Sequence, residues 1–248
     1  MCTLSWVYHG NNHYEVYFNR DEQRTRLPAL EPQSMMIDGV HCVMPIDPVG
    51  GGSWISTNEH GVTVCLLNYY QGDVPKGELT SRGLIIKRLA SSSSSQTVDL
   101  RLMEMTLENF APFTVVSFDT RRTANETVAW TWDGHRLVRS HAFAPIVSAA
   151  LNFEEASRYR LDLFNELVMT TPSNEVGLLF HQTYDADFPN LSPLMARDDA
   201  RTVSFTSVIV SSIKQEMNYR SVDDHRTIDF QGSLSCFRSH LVEQGVFK

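Results

Sequence analysis

The chain has 248 residues, of which 42% are hydrophobic and 20% charged, a composition typical of a globular protein with a sizeable core. The net charge of −8 disfavours nucleic acid and anionic membrane surfaces as partners. No stretch approaches the roughly 20 apolar residues of a membrane span, and the N-terminus lacks the basic start of a signal peptide, so we expect no membrane span and a cytoplasmic location.

The first seventy residues are predicted to be mostly strands. Runs rich in β-branched and aromatic residues predict strands at 3–8, 14–18, 41–44, 53–57 and 62–68. The turn-like segment HGNNH predicts a hairpin of 3–8 with 14–18, and NEHG predicts a second hairpin of 53–57 with 62–68. Residues 23–40 contain two prolines and are predicted to be loop, and PVGGGSW at 48–54 is predicted to be a glycine-rich turn.

Helices and strands alternate in blocks along the rest of the chain. Helical spacing of apolar residues predicts helices at 80–90, 98–110, 152–169 and 173–181. Further strands are predicted at 113–119, 126–134, 135–140, 201–212 and 216–222. Because strands pair through hairpins and helices come in pairs between strand blocks, the order predicts an α+β sandwich of two antiparallel sheets covered by helix layers. We expect residues 1–248 to form a single domain.

Cys2 is the first candidate for chemistry. Initiator methionine is normally removed before a small residue, and removal would give Cys2 both a thiol and a free α-amine. Such an amine has a pKa of about 7.7–8.0 and can accept the proton of the thiol near neutral pH. In the alternative interpretation, Cys2 is a small apolar residue without a chemical role.

The sequence NRDE at 19–22 ends the second predicted strand with polar and charged residues. Such residues are costly to bury unless they are paired, so the segment is either the start of a solvated loop or a charged site. An arginine beside a thiol favours the thiolate, and a carboxylate would hold the terminal ammonium. The hairpin places residue 2 opposite roughly residues 19–21, which favours the second interpretation.

Two further residues complete the candidate site. Asn68 ends the strand at 62–68, where its amide N–H would donate to an oxyanion, although it is also a typical turn residue. The glycine-rich turn would bring backbone close to a pocket lined by Trp54. The four cysteines form no C-x-x-C pair and the nine histidines are scattered, so we expect no disulfide framework, no metal and no cofactor.

These motifs together resemble a known family. Met1-Cys2, NRDE, GGGSW and NEHG…LLNYY are similar to the NRDE family, which includes transport and Golgi organisation protein 2. They also resemble cysteine N-terminal nucleophile hydrolases of the choloylglycine hydrolase and penicillin V acylase type. The resemblance implies a four-layer αββα fold, and it is strongest over residues 1–72 and weaker around RDDARTVSFTSVIV at 197–210.

The resemblance also implies roles for individual residues. The implied catalytic residues are Cys2 as nucleophile, Arg20 and Asp21 as an active-site pair, and Asn68 as oxyanion donor. The expected substrate contacts are Asn19, Trp54 and Arg201. In the hydrolases the arginine and the aspartate are separated, whereas here they adjoin. Neighbours in a strand face opposite sides, so both reach Cys2 only if the strand ends or bulges there.

Other charged residues are weaker candidates. Arg158 or Arg160 of the helix predicted at 152–169 would add positive charge to the site, although solvated helix arginines are commoner. His60 and His181 are expected at the surface.

Three functions remain open from the sequence. The leading hypothesis is hydrolysis of a linear amide, a small-molecule substrate, through an acyl-enzyme on Cys2. The alternative is a non-catalytic binding or trafficking protein on the same scaffold, related to haem or lipid. A thiol redox sensor would need a resolving cysteine near Cys2. The substrate and the oligomeric state, including a homo-oligomer, are left open.

Overall fold

The computed structural model describes residues 2–10 and 12–222 together with the backbone of 234–237. The α-helices of this part are α1 (Gly83–Leu89), α2 (Ser95–Met103), α3 (Phe153–Thr170) and α4 (Ser173–Gln182), and a short 3-10 helix covers Ala124–Glu126. The strands are β1 (Cys2–Gly10), β2 (His13–Gln23), β3 (Leu30–Ile37), β4 (Val40–Ile46), β5 (Ile55–Asn58), β6 (Val62–Asn68), β7 (Phe113–Asp119), β8 (Val128–Trp132), β9 (Leu137–His141), β10 (Ile146–Ser148), β11 (Ala200–Val210), β12 (Gln215–Ser221) and β13 (Leu234–Phe237). None of the described helices is of a length and apolarity that would let it cross a membrane.

The strands form two antiparallel sheets. One has six strands in the order β10-β1-β2-β11-β12-β13, and the other has seven strands in the order β3 to β9. The sheets face each other through an apolar layer, to which the first contributes Leu4, Phe18 and Val208 and the second contributes Leu67 and Phe118. The N-terminal hairpin therefore lies in the middle of the six-stranded sheet, with β11 from the far end of the sequence as its neighbour.

Helices cover the outer face of each sheet. Ile85 of α1 and Val98 of α2 pack with β-strand residues such as Val64 on the seven-stranded sheet. Helices α3 and α4 pack against β10, β1 and β2 on the six-stranded sheet. The result is the predicted four-layer αββα sandwich. Both faces of β1 are buried, since Leu4 points between the sheets while Ser5 contacts α4.

The segments that differ from the sequence prediction include β10, which was not predicted, and the two that follow. Residues 30–37, predicted to be loop, form β3. Pro32 is tolerated there because β3 is an edge strand of its sheet and its register with β4 is irregular between Leu30 and Gln33, which is where a residue without an N–H is accepted. The second helix, predicted at 98–110, begins earlier, at Ser95, because the hydroxyl of Ser94 accepts a hydrogen bond from the Thr97 backbone N–H and caps it. It also ends earlier than predicted, at Met103.

Candidate active site

The side chain of Cys2 lines a cavity of about 530 Å³. The cavity is bounded by the start of β1, the end of β2, the glycine-rich turn, the end of β6 and the start of α1. Four of the predicted site residues besides Cys2 also line it, namely Arg20, Asp21, Trp54 and Asn68. Cys2 itself is only 8% exposed, so the thiol lies at a protected position of the cavity.

The strand register brings Cys2 and the NRDE segment together. Cys2 pairs with Arg20 on one side and with Ser148 of β10 on the other. Strand β2 does not end at NRDE but continues to Gln23. The irregularity lies in β11 instead, where the register with β2 shifts between the partners of Asp21 and Arg20. A bulge of this kind increases the local twist of the sheet beside Arg20 and Asp21.

Arg20 belongs to the cavity face of β2. Its guanidinium carbon lies 4.5 Å from the ring centroid of Trp54, a cation–π contact. Its Nη2 is 3.2 Å from Oε2 of Glu22. The side chain is buried, so the ring and the carboxylate hold the guanidinium in one orientation beside the thiol.

Asp21 is buried, and its partners lie in β11 and α3. The hydroxyl of Thr202 donates to Oδ1 of Asp21 at 2.6 Å. Nη1 of Arg160 in α3 is 3.9 Å from Oδ2. Burial raises the pKa of Asp21, and the positive charge of Arg160 opposes that rise. The carboxyl is therefore held in place at the edge of the cavity by groups from two other elements.

Within the described part of the chain, Arg160 is the one charged side chain among the largest fully buried residues. Its Nε donates to the carbonyl of Leu191 at 2.9 Å, and its Nη2 donates to the carbonyl of Ser192 at 2.7 Å. Its Nη1 donates to the hydroxyl of Thr3 in β1. Arg160 is therefore not a solvated helix arginine, since it ties α3 to both strands that carry Cys2 and Asp21, whereas Arg158 is exposed.

The thiol of Cys2 is in an environment that disfavours the thiolate. Burial raises its pKa and the charge of Asp21 adds to the rise, while the backbone N–H of Asp21 and the charge of Arg20 lower it. Because the net direction is upward, the thiol is neutral near pH 7 and needs a base in order to act as a nucleophile.

Asn68 lies at the rim of the same cavity. Its Nδ2 donates to the hydroxyl of Tyr70 at 2.9 Å, and a side-chain amide carries a second N–H. Its backbone carbonyl accepts a hydrogen bond of 2.5 Å from the hydroxyl of Ser148. Since Ser148 lies in β10 as the strand partner of Cys2, this bond joins the end of β6 to β10 next to the start of β1.

The wall that carries Trp54 is formed by close backbone packing. A Cβ at Gly52 would overlap the backbone of Gly83, and the N–H of Ser53 donates to the carbonyl of Gly83 at 3.0 Å. The glycine-rich turn thus approaches the start of α1 more closely than any larger residue would allow.

Two predicted substrate contacts lie elsewhere. Asn19 points towards the helix layer, where its Nδ2 donates to the carbonyls of His181 and Pro193 at 2.9 and 2.8 Å. It is fully buried and does not line the cavity, so the structure gives it a packing role. Arg201 lines a neighbouring cavity of about 300 Å³, which shares Arg20, Glu22, Gln23 and Arg26 with the first.

His181 is fully buried, contrary to the expectation of a surface position. Its Nε2 lies 2.9 Å from the hydroxyl of Ser5, and its ring stacks on Tyr17 at a centroid distance of 6.0 Å. Burial, together with the nearby charge of Arg160, lowers the pKa of His181 to about 3. The ring is therefore a neutral part of the layer between α4 and the six-stranded sheet.

The architecture is that of the N-terminal nucleophile hydrolases, and solved structures of that fold are similar to this chain. An N-acylethanolamine-hydrolyzing acid amidase orthologue from Caenorhabditis elegans matches with a TM-score of 0.55 and 11% identity over 82% of this chain and 91% of that chain. A mutant of the conjugated bile acid hydrolase from Clostridium perfringens matches with a TM-score of 0.52 and 10% identity over 95% of this chain and 96% of that chain. Penicillin V acylase from Agrobacterium tumefaciens matches with a TM-score of 0.50 and 10% identity over 89% and 86%. At these identities the likeness shows the fold alone.

The sequence itself identifies the family. Residues 1–219 match the family described as Transport and Golgi organisation 2, so the chain belongs to that family. A search of curated proteins gave no match.

Proposed function

We propose that this protein is a cysteine N-terminal nucleophile hydrolase that cleaves a linear amide C–N bond through an acyl-enzyme on Cys2. The observation that carries the proposal is the position of Cys2, buried at the start of a central strand yet lining a cavity beside Arg20, Asp21 and Asn68. The αββα scaffold, which is shared with amide hydrolases, supports the same reaction class.

The mechanism follows from the upward shift of the pKa of the thiol. A buried neutral thiol needs a base, and removal of Met1 would supply the α-amine of Cys2 itself. The amine takes the thiol proton, the thiolate attacks the substrate carbonyl, and an N–H of Asn68 stabilises the oxyanion. The resulting ammonium returns its proton to the leaving amine as the C–N bond breaks, and water then hydrolyses the thioester. Asp21 would orient the ammonium.

The cavity charges indicate the kind of substrate. Arg20 pairs with Glu22, and Nη2 of Arg26 lies 2.5 Å from Oδ2 of Asp47. Arg82 is different, because its Nη1 donates to the carbonyl of Pro112 at 2.9 Å but no carboxylate of the described residues forms an ion pair with it.

We expect the substrate to supply the carboxylate that Arg82 lacks. Arg82 is half-buried and lines the same cavity as Cys2, in a protein of net charge −8. A guanidinium in such a place binds a carboxylate through charge-assisted hydrogen bonds. The favoured substrate is therefore an amide that carries an anionic group, such as an N-acyl amino acid.

The experiment combines processing, reactivity and turnover. Intact mass of protein from its native host, with and without iodoacetamide, reports loss of Met1 and alkylation of Cys2. The processed protein is then tested on N-acyl amino acids, acyl homoserine lactones and penicillin V. We expect Cys2→Ala to abolish hydrolysis, while Cys42→Ala, which removes a thiol buried in the other sheet, keeps it.

A different outcome would favour the binding or trafficking alternative. If the processed protein is alkylated at Cys2 but cleaves none of these amides, and Cys2→Ala behaves like wild type in the host, the hydrolase proposal fails. The redox alternative has no comparable support. Among the described cysteines no disulfide is present, and burial raises the pKa of Cys42 to about 12 and that of Cys65 well above its usual value.

A further inference from the structure

A second cluster of functional side chains lies at the far end of the N-terminal hairpin. It consists of His9 of β1 with His13 and Glu15 of β2. His13 and Glu15 are two residues apart on one strand and therefore share a face. His9 joins them because the register shifts between Tyr8 and Gly10, which leaves His9 as the extra residue of a bulge.

The spacing of the three ligand atoms suits a tetrahedral metal ion. Oε1 of Glu15 lies 3.4 Å from Nε2 of His9 and 3.5 Å from Nε2 of His13, and all three atoms lie within 4.8 Å of one another. Zinc binds histidine nitrogen and carboxylate oxygen at 2.0–2.2 Å, so neighbouring ligand atoms in a tetrahedron are about 3.3–3.6 Å apart. Both measured nitrogen–oxygen distances fall in this range.

The hydrogen bonding leaves these atoms available. Nε2 of His9 and Nε2 of His13 are both buried, and neither has a hydrogen-bond partner among the described residues. The other carboxylate oxygen of Glu15, Oε2, accepts a hydrogen bond from the hydroxyl of Tyr17. An outer hydrogen bond of this kind fixes a ligating carboxylate in place.

We propose that His9, His13 and Glu15 bind a divalent cation of the zinc type, with water as the fourth ligand. The histidine side chains are 17% and 33% exposed, so the site lies close to the surface. His9 lies seven residues along β1 from Cys2, roughly 23 Å at the rise of a strand, so the ion takes no part in chemistry at Cys2. Its role is to fasten the turn end of the hairpin.

The sequence prediction of no metal treated HGNNH only as a turn. His9 and His13 do have the H-x-x-x-H spacing of many zinc sites, but on a hairpin rather than on a helix. The spacing alone does not show that Glu15 supplies the third ligand or that a bulge brings His9 to the same face as the other two.

The test is metal binding by full-length protein without an affinity tag. Zn²⁺ is titrated in competition with a chromophoric chelator, and Co²⁺ is used as a spectroscopic probe of coordination geometry. We expect one ion per chain, visible Co²⁺ bands typical of four-coordination, and at least tenfold weaker binding in His13→Gln and in Glu15→Gln. His135→Gln is the matched control. Nε2 of His135 also lies close to a carboxylate, 3.0 Å from Oδ2 of Asp73, but no third metal-ligating side chain of the described residues joins this pair.

Two further results decide the question if a ligand variant does not fold. Tyr17→Phe keeps all three ligands and removes only the outer hydrogen bond, and it should weaken Zn²⁺ binding by roughly 10–100-fold. Zn²⁺ should also raise the unfolding temperature of wild type but not that of His9→Gln. Absence of stoichiometric binding in wild type, or equal binding by wild type and His13→Gln, would overturn the proposal.

Discussion

Replacement of His181 by glutamine should remove a defined part of the pH dependence of stability. The folded protein holds this ring neutral, because burial and the nearby Arg160 lower its pKa from 6.5 to about 3. The unfolded chain takes up a proton near pH 6.5, whereas the folded protein does not until about pH 3. The contribution of His181 is therefore fully present above pH 6.5 and is lost as the pH falls towards 3.

The size of the effect follows from these two values. A difference of one pKa unit is worth about 1.36 kcal/mol, so the loss between about pH 7 and pH 4.5 is about 2.5 kcal/mol. Urea denaturation at both pH values measures it as a change in the free energy of unfolding. We expect wild type to lose about 2.5 kcal/mol more than His181→Gln over this interval.

The comparison between variants separates His181 from every other titrating group. Glutamine does not titrate in this range and can still hydrogen-bond to Ser5. His60→Gln is the control, since that ring is exposed in the folded protein. Equal losses of stability in wild type and in His181→Gln would refute the reasoning that the buried ring stays neutral.

The remaining predictions concern the cavity and the packing behind it. Asn68→Ala should lower turnover of a cleaved amide by roughly 10²–10³, the usual effect of one oxyanion donor, as measured by steady-state kinetics. Arg82→Gln should raise KM for an anionic N-acyl amino acid by roughly 10–100-fold but leave a neutral N-acyl amide unaffected; equal effects on both would contradict anion recognition. Gly177→Ala should destabilise the fold by about 1–3 kcal/mol in urea denaturation, because a Cβ there would overlap the ring of Tyr17 in β2.

The elements that follow simple periodic patterns could be predicted from the sequence. The two hairpins of the first seventy residues and the helix at 152–169 are confirmed, because runs of β-branched and aromatic residues joined by turn signals favour paired strands and a helical apolar pattern favours a packed helix. Strand β3 could not be predicted in the same way. Whether Pro32 breaks a strand depends on whether the strand lies at a sheet edge, and strand order is not a local property of the sequence.

The candidate site could be predicted only in part from the sequence, for a similar reason. Hairpin pairing places Cys2 opposite Arg20, so this contact follows from local sequence. The burial of Arg160 does not follow from its residue type, but its position offers a signal. It lies four residues from both Ala156 and Phe164, the other buried residues of α3, and so belongs to the stripe that faces the sheet. His181 has the same relation to Gly177 in α4.

The central position of the N-terminal hairpin has a consequence for the timing of synthesis. The Asp21–Thr202 hydrogen bond joins residues 181 positions apart. At about 5–20 residues per second, roughly 10–40 s pass on the ribosome between the appearance of these two partners. During that interval β11 cannot yet cover β2, and the start of the chain stays accessible to enzymes that trim nascent polypeptides. Because the sheet closes late, any removal of residues before Cys2 takes place first, and Cys2 becomes buried afterwards.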